Sequence, residues 1–185
     1  MQSNTHPAHS LTICLIAGES SGDMIGGKLM VSLKDLSNKP IQFVGIGGEN
    51  MRNEGLRSLF PISELSIMGI SEIVPHIPKL LKRIKFTSEE IKTLNPQAVV
   101  TIDSPGFSLR VAKKLKHKEI QLIHYVAPSV WAWKSWRAKK MSKYFNRILT
   151  LFEFETSYFE AAGLKSVFVG HPIVESGAAN GDGAA

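Results

Sequence analysis

The chain has 185 residues, 43% of them hydrophobic and 21% charged, a formal net charge of +6 and a single cysteine, Cys14. That balance fits one globular domain and excludes wholesale disorder, and one cysteine excludes an intramolecular disulfide. No stretch approaches the roughly 20 apolar residues of a membrane-spanning helix, and residues 1–10 hold no Lys or Arg ahead of an apolar run that Gly18 soon breaks, unlike a secretory signal. The expectation is a cytoplasmic protein with a flexible start over 1–10, one domain over 11–174 and a disordered tail over 175–185, where small polar residues have little to bury.

In chain order, apolar runs at 11–17, 41–46, 98–102, 121–126, 147–151 and 166–169 read as strands. They are continuously apolar rather than alternating, so both faces are covered. Helical patterns at 24–36, 49–54, 78–94, 108–116, 135–144 and 153–162 lie between them. The predicted fold is α/β, a Rossmann-like doubly wound, mainly parallel sheet, and such sheets bind ligands at the carboxyl ends of their strands.

The unusual residues fall at those ends. GESSGD, residues 18–23, joins the first strand to a helix, with Ser20, Ser21 and Asp23 placed to cap it and with backbone N–H groups suited to an anion. A tight capped turn explains most of it but leaves Glu19, an acid in an anion-friendly turn, pointing to sugar-hydroxyl or proton handling. Neither GxGxxG nor GxxxxGK[ST] is present there. GIGG, residues 45–48, is weak evidence, since many strand exits need glycine.

Residues 64–84, ELSIMGISEIVPHIPKLLKRI, set Ile70, Ile73, Val74, Ile77, Leu80, Leu81 and Ile84 at spacings of three and four, interrupted by Pro75 and Pro78, with Lys79, Lys82, Arg83 and Lys85 alongside. Such a stripe either faces the core or accepts acyl chains and anionic headgroups. Asp103, at the end of AVVTI and before Ser104 and Pro105, stands where a general base is wanted; the alternative is a helix cap or Asx turn.

HYVAPSVWAW, residues 124–133, stops a strand at Pro128 and then places Trp131 and Trp133 two apart, with Trp136 following. Between Arg110 and Arg147 lie eleven basic residues against one acid, Glu119. Aromatic faces beside cations suit an amphiphilic anion, although one or two of these indoles could simply anchor a loop. His124 reads as a hydrogen-bonded core imidazole, and His171 as either a turn or a site residue. No metal-ligand spacing and no GxSxG elbow are found, so no metal and no cofactor are expected.

The ordered set AGESSGD, FVGIGGENM, ELSIMGISEI, IDSPGF, HYVAPSVWAW, FEFE and FVGHP resembles the amino-terminal half of the bacterial lipid A disaccharide synthase family, from about Leu11 to about Val174. The resemblance implies a hexosyltransferase: an inverting enzyme of two-domain GT-B architecture, with this chain its acceptor-side domain. It moves 2,3-diacylglucosamine from its UDP donor to 2,3-diacylglucosamine 1-phosphate, at the cytoplasmic face of an anionic inner membrane and with no nucleic acid partner. It makes Asp103 the candidate base, Glu19 a second acid, Ser20, Ser21 and Gly22 the floor of the cleft, and Met68, Tyr125, Ser129, Trp131 and Trp133 its acceptor side.

Two departures qualify the carry-over. Gly106 stands where many members have a second aspartate, so Asp103 would act alone. Nothing after His171 resembles a carboxy-terminal donor domain, so the fragment is expected to fold but to be inactive by itself. The rival readings are a non-catalytic lipid-phosphate module or a nucleic-acid-binding module.

Overall fold

The computed structural model describes residues 10–65, 73–116, 119–128 and 135–172, without the side chains of 73–76 and 135. The elements in chain order are β1 (Leu11–Ala17), α1 (Ser20–Leu36), β2 (Ile41–Ile46), α2 (Glu49–Asn53), β3 (Arg57–Ser58), α3 (Ile73–Leu94), β4 (Ala98–Ile102), α4 (Pro105–Leu115), β5 (Gln121–Tyr125), α5 (Ser135–Ser142), β6 (Arg147–Thr150), α6 (Glu153–Glu160) and β7 (Lys165–Phe168). The apolar runs are the strands, and every strand pairing is parallel. The sheet order is β3-β2-β1-β4-β5-β6-β7: the chain winds outward from β1 through β2 to β3, then returns to β4 and winds the other way. The reversal lies between β1 and β4, which pair with Ala17 opposite Ile102.

Alternation along the strands builds two cores. Cys14, Ile16 and Val99 face α3 to α6 through Ile84, Val111, Met141 and Phe159. Leu15, Ala17, Val100 and Ile102 face α1 and α2 through Met30 and Met51. Helix α1 lies close on the sheet because Gly26 has no side chain: a Cβ there would sit 2.5 Å from Met51 Sδ and 3.0 Å from Ile102 Cδ1. Cys14 is fully buried, and burial pushes its thiol up to about 12.

Some expected boundaries move. α1 starts at Ser20, four residues earlier than its apolar pattern indicates, so Ser20 and Ser21 form its first turn instead of capping it, and Glu19 at the cap position makes no side-chain cap hydrogen bond. α4 starts at Pro105, whose fixed φ suits a first helical position. β3 is only two residues long, too short to show a pattern. β5 stops one residue before the expected end because Val126 takes φ +72. α3 runs from Ile73 straight through Pro78.

The apolar stripe of α3 divides: Ile84 is buried and Leu80 packs against the core, whereas Ile77 and Leu81 are 42% and 53% exposed. Its cations divide too. Arg83 donates to both oxygens of Glu64, at 2.9 Å from Nε and 2.6 Å from Nη2, and Lys79 lies 3.5 Å from the same carboxylate. Arg83 also stacks over Phe60, 4.5 Å from its ring centre. Arg83 therefore belongs to an ion pair with Glu64, with Lys79 at its edge. Ile70 lies outside the described residues, as do the side chains of Ile73 and Val74.

Candidate functional site

Parallel pairing brings the carboxyl ends of β1, β4 and β5 to one edge, with Ala17 beside Ile102 and Ile102 beside Tyr125. Glu19 follows β1 by two residues and Asp103 follows β4 by one, so the two acids lie on adjacent loops at the point of reversal. The loops are in contact: Ser104 fills the space where a Gly18 side chain would be, its Cβ 2.5 Å from an ideal Cβ on Gly18. Gly22, buried in the first turn of α1, brings the helix against β4, since a Cβ there would meet Ile102 O at 3.3 Å. Ser20, Ser21 and Glu19 are exposed on the rim.

Asp103 and Ser104 both adopt left-handed backbone, φ 53 and 45. Consecutive non-glycine residues in that region cost of order 1–3 kcal/mol each and persist only where neighbours over-determine them. Here the neighbours are identifiable. Asp103 N donates to Tyr125 O at 2.9 Å, Ser108 Oγ donates to Asp103 O at 2.9 Å, and Asp103 Oδ1 accepts from Ser104 N at 2.7 Å. Val126 adds a third strained residue on the next strand exit. The carboxylate is thus held by its own turn, and among the described residues no Lys or Arg pairs with it. A fixed, half-exposed carboxylate without a cation is suited to accepting a proton from a hydroxyl.

Tyr125 is brought to the same edge through its carbonyl, but its ring turns to the α1 face and is buried. There it lines a largely apolar cleft of about 600 Å³ with Lys28, Leu29, Leu151, Phe168 and His171. His171 lies 6.0 Å from the Phe152 ring, and Lys28 Nζ donates to Pro172 O at 2.8 Å, tying α1 to the segment after β7. Met68, Ser129, Trp131 and Trp133 lie outside the described residues.

Two residues take roles other than capping α1 or serving the rim. Asp23 does not cap its own helix. It is 3% exposed and accepts from Gly48 N at 2.6 Å, Asn50 N at 3.0 Å, Asn50 Nδ2 at 2.9 Å and Met51 N at 3.2 Å, thereby capping α2. The signal was the pairing of an acid in one glycine turn with bare N–H groups in the next, which only the β1–β2 pairing makes neighbours. His124 is fully buried, bonded through Nδ1 to Thr101 Oγ1 at 2.7 Å and set against Phe145, as expected of a core imidazole. Burial lowers it to about 3. Among the described residues no group of three His, Cys, Asp or Glu side chains is placed to hold a metal ion.

A doubly wound parallel sheet whose strand-end loops gather at its reversal defines a Rossmann-like α/β domain. Two solved structures share the fold: a UDP-GlcNAc 2-epimerase from Neisseria meningitidis, with TM-score 0.65 and 8% identity over 90% of this chain and 47% of that one, and a glycosyltransferase from Rickettsia africae, with TM-score 0.51 and 14% identity over 90% and 44%. The sequence profile of the lipid-A-disaccharide synthetase family matches residues 13–182, and the chain belongs to that family. It is 52% identical over 177 residues to the lipid-A-disaccharide synthase of Paramagnetospirillum magneticum and 47% identical over 166 residues to that of Rickettsia bellii. The chain spans 45% and 43% of those two proteins' lengths, against 95% and 88% of its own.

Proposed function

We propose that this chain is the acceptor-side domain, over 11–174, of an inverting glycosyltransferase that joins 2,3-diacylglucosamine from its UDP donor to 2,3-diacylglucosamine 1-phosphate. The observation that carries the reading is the pairing of Glu19 and Asp103 on touching loops at the sheet reversal, in a member of this family. Asp103 takes the proton of the acceptor 6-hydroxyl as its oxygen attacks the anomeric carbon. The bond from that carbon to UDP breaks, UDP leaves with the electron pair, and the configuration inverts. Glu19 is a second acid near the acceptor, Ser20, Ser21 and Gly22 form the floor, and Met68, Tyr125, Ser129, Trp131 and Trp133 shape the acceptor side. Contacts to the nucleotide come from the part of the longer relatives beyond this chain.

Acyl chains require an apolar approach. Ile77 and Leu81, one turn apart and exposed on α3, with Lys82 and Lys85 nearby, form the face that meets the cytoplasmic side of an anionic membrane. Among the described residues no helix is long and apolar enough to cross a membrane.

The test uses this chain joined to the remaining length of a relative. Asp103→Asn lowers kcat by about 10² to 10⁴ with acceptor KM little changed, and Glu19→Gln has a smaller effect. Near-normal turnover by Asp103→Asn at neutral pH overturns the base assignment.

A further inference from the structure

On the sheet face opposite α1, helices α4 and α5 enclose a groove that begins at Pro105, two residues from Asp103. Its larger part, about 300 Å³, is lined by Arg110, Lys113, Lys140 and Tyr144. A smaller part of about 130 Å³ shares Lys140 and Leu109 and adds Trp136 and Arg137. No acidic residue is among the described residues lining either part. Four cations gathered without a counter-charge repel one another and raise the local attraction for an anion.

The apolar component is equally specific. Trp136 is 56% exposed, an indole mostly outside the core, with Arg137 and Lys140 each 5.8 Å from its ring centre. Arg110 is held across the first turn of α4 by donating from Nη1 to Gly106 O at 2.6 Å. Gly106 is exposed at the mouth, and a Cβ there would lie 3.6 Å from that same nitrogen. A side chain at 106 would therefore enter the site, and an acidic one would neutralise Arg110.

We propose that this groove binds the phosphate of a phosphomonoester amphiphile, with Arg110, Lys113 and Lys140 around the phosphate and Trp136 and Leu109 against the adjoining apolar part. The proposal rests on the glycolipid reading of the neighbouring rim, whose acceptor carries such a phosphate. A guanidinium and two ammonium groups around one small pocket match a doubly charged phosphate. A nucleic-acid backbone calls instead for an extended basic track with successive stacking platforms.

Calorimetric titration of the 185-residue chain with octyl phosphate below its micelle concentration tests this, beside inorganic phosphate, an oligothymidylate, and phosphatidylcholine vesicles with and without phosphatidylglycerol. Expected is saturable 1:1 binding of octyl phosphate, tighter than inorganic phosphate. Arg110→Ala and Lys140→Ala each weaken both by roughly tenfold, and Trp136→Ala weakens octyl phosphate alone. Gly106→Asp weakens both by a similar factor while its unfolding temperature stays level or rises, since an acid in the first turn of a helix is favourable. That variant separates loss of the site from loss of the fold.

The proposal is overturned if octyl phosphate does not saturate, if Lys39→Ala at the far end of the sheet weakens it equally, or if the oligothymidylate displaces it at lower concentration. Binding confined to phosphatidylglycerol vesicles overturns the pocket and assigns its cations to a membrane surface. None of these readouts uses turnover, so the transferase reading stands or falls separately on Asp103→Asn.

Discussion

Ser104 occupies the position that a side chain on Gly18 would need, and this contact locks the loop carrying Glu19 to the turn carrying Asp103. Gly18→Ala drives a methyl group into Ser104 and displaces its strained neighbour. The expected outcome is a loss of about 1–3 kcal/mol in urea unfolding and at least a tenfold loss of turnover in the full-length enzyme. Ser104→Gly removes the obstructing atoms and relieves a left-handed φ, so the Gly18→Ala/Ser104→Gly double variant recovers most of the stability. Strictly additive effects in that cycle would mean the contact is not what couples the loops.

Asp23 serves four donors from a nearly dry position. Asp23→Ala leaves backbone N–H groups of Gly48 and Met51 buried without an acceptor and should lower stability by about 2–4 kcal/mol. Asp23→Asn keeps one acceptor oxygen and should fall between. Urea unfolding of the three proteins checks the order.

His124 gives the protein an acid-sensitive window. Its folded value is held near 3 by burial against 6.5 when solvated, so below pH 6.5 the unfolded chain takes up a proton that the native imidazole refuses. Stability is therefore fully present above pH 6.5 and declines toward pH 3 by about 1 kcal/mol per pH unit. The Arg83 guanidinium holds the Glu64 carboxyl below the usual carboxylate range, so its contribution fades only at lower pH as that group protonates. Burial raises the Glu155 carboxyl and acts in the opposite sense above the ordinary carboxylate range, so the imidazole is isolated by difference: between pH 5 and 6.5 His124→Phe should lose the part of the slope that falls with acid.

Ile77 and Leu81 make the membrane-facing assignment testable. Ile77→Ser/Leu81→Ser removes apolar surface that is already exposed, so the unfolding temperature should hardly change. Cosedimentation with phosphatidylglycerol-containing vesicles should drop by about tenfold. Unchanged cosedimentation would remove α3 from the membrane contact.

The parallel sheet was legible because six of its strands are continuous apolar runs, but the expected two-sided burial fails at the edge strand β7, where Val167 and Phe168 are 40% and 48% exposed because no further strand lies beyond it in the sheet. β3 was not legible, since two residues carry no period. Asp103 and Glu19 could be placed on one rim because each directly follows a strand. What the sequence hid is contact between distant segments: Asp23 reaching Gly48, Arg83 claimed by Glu64, and the Tyr125 ring packed on the α1 side of the sheet. Starts of helices were misplaced where serine and glycine sit inside the first turn, since those residues read locally as turn formers. Seven tightly ordered motifs led to the family more directly than any single residue led to its role.

The bond from Lys28 to Pro172 joins positions 144 apart in sequence and returns the end of the described chain to the first helix. Lys28 stands only eight residues, about 12 Å, along α1 from Ser20. The far end of the described chain is therefore fastened to the helix that opens at the Glu19 turn, and a disturbance at either end of that bond reaches both.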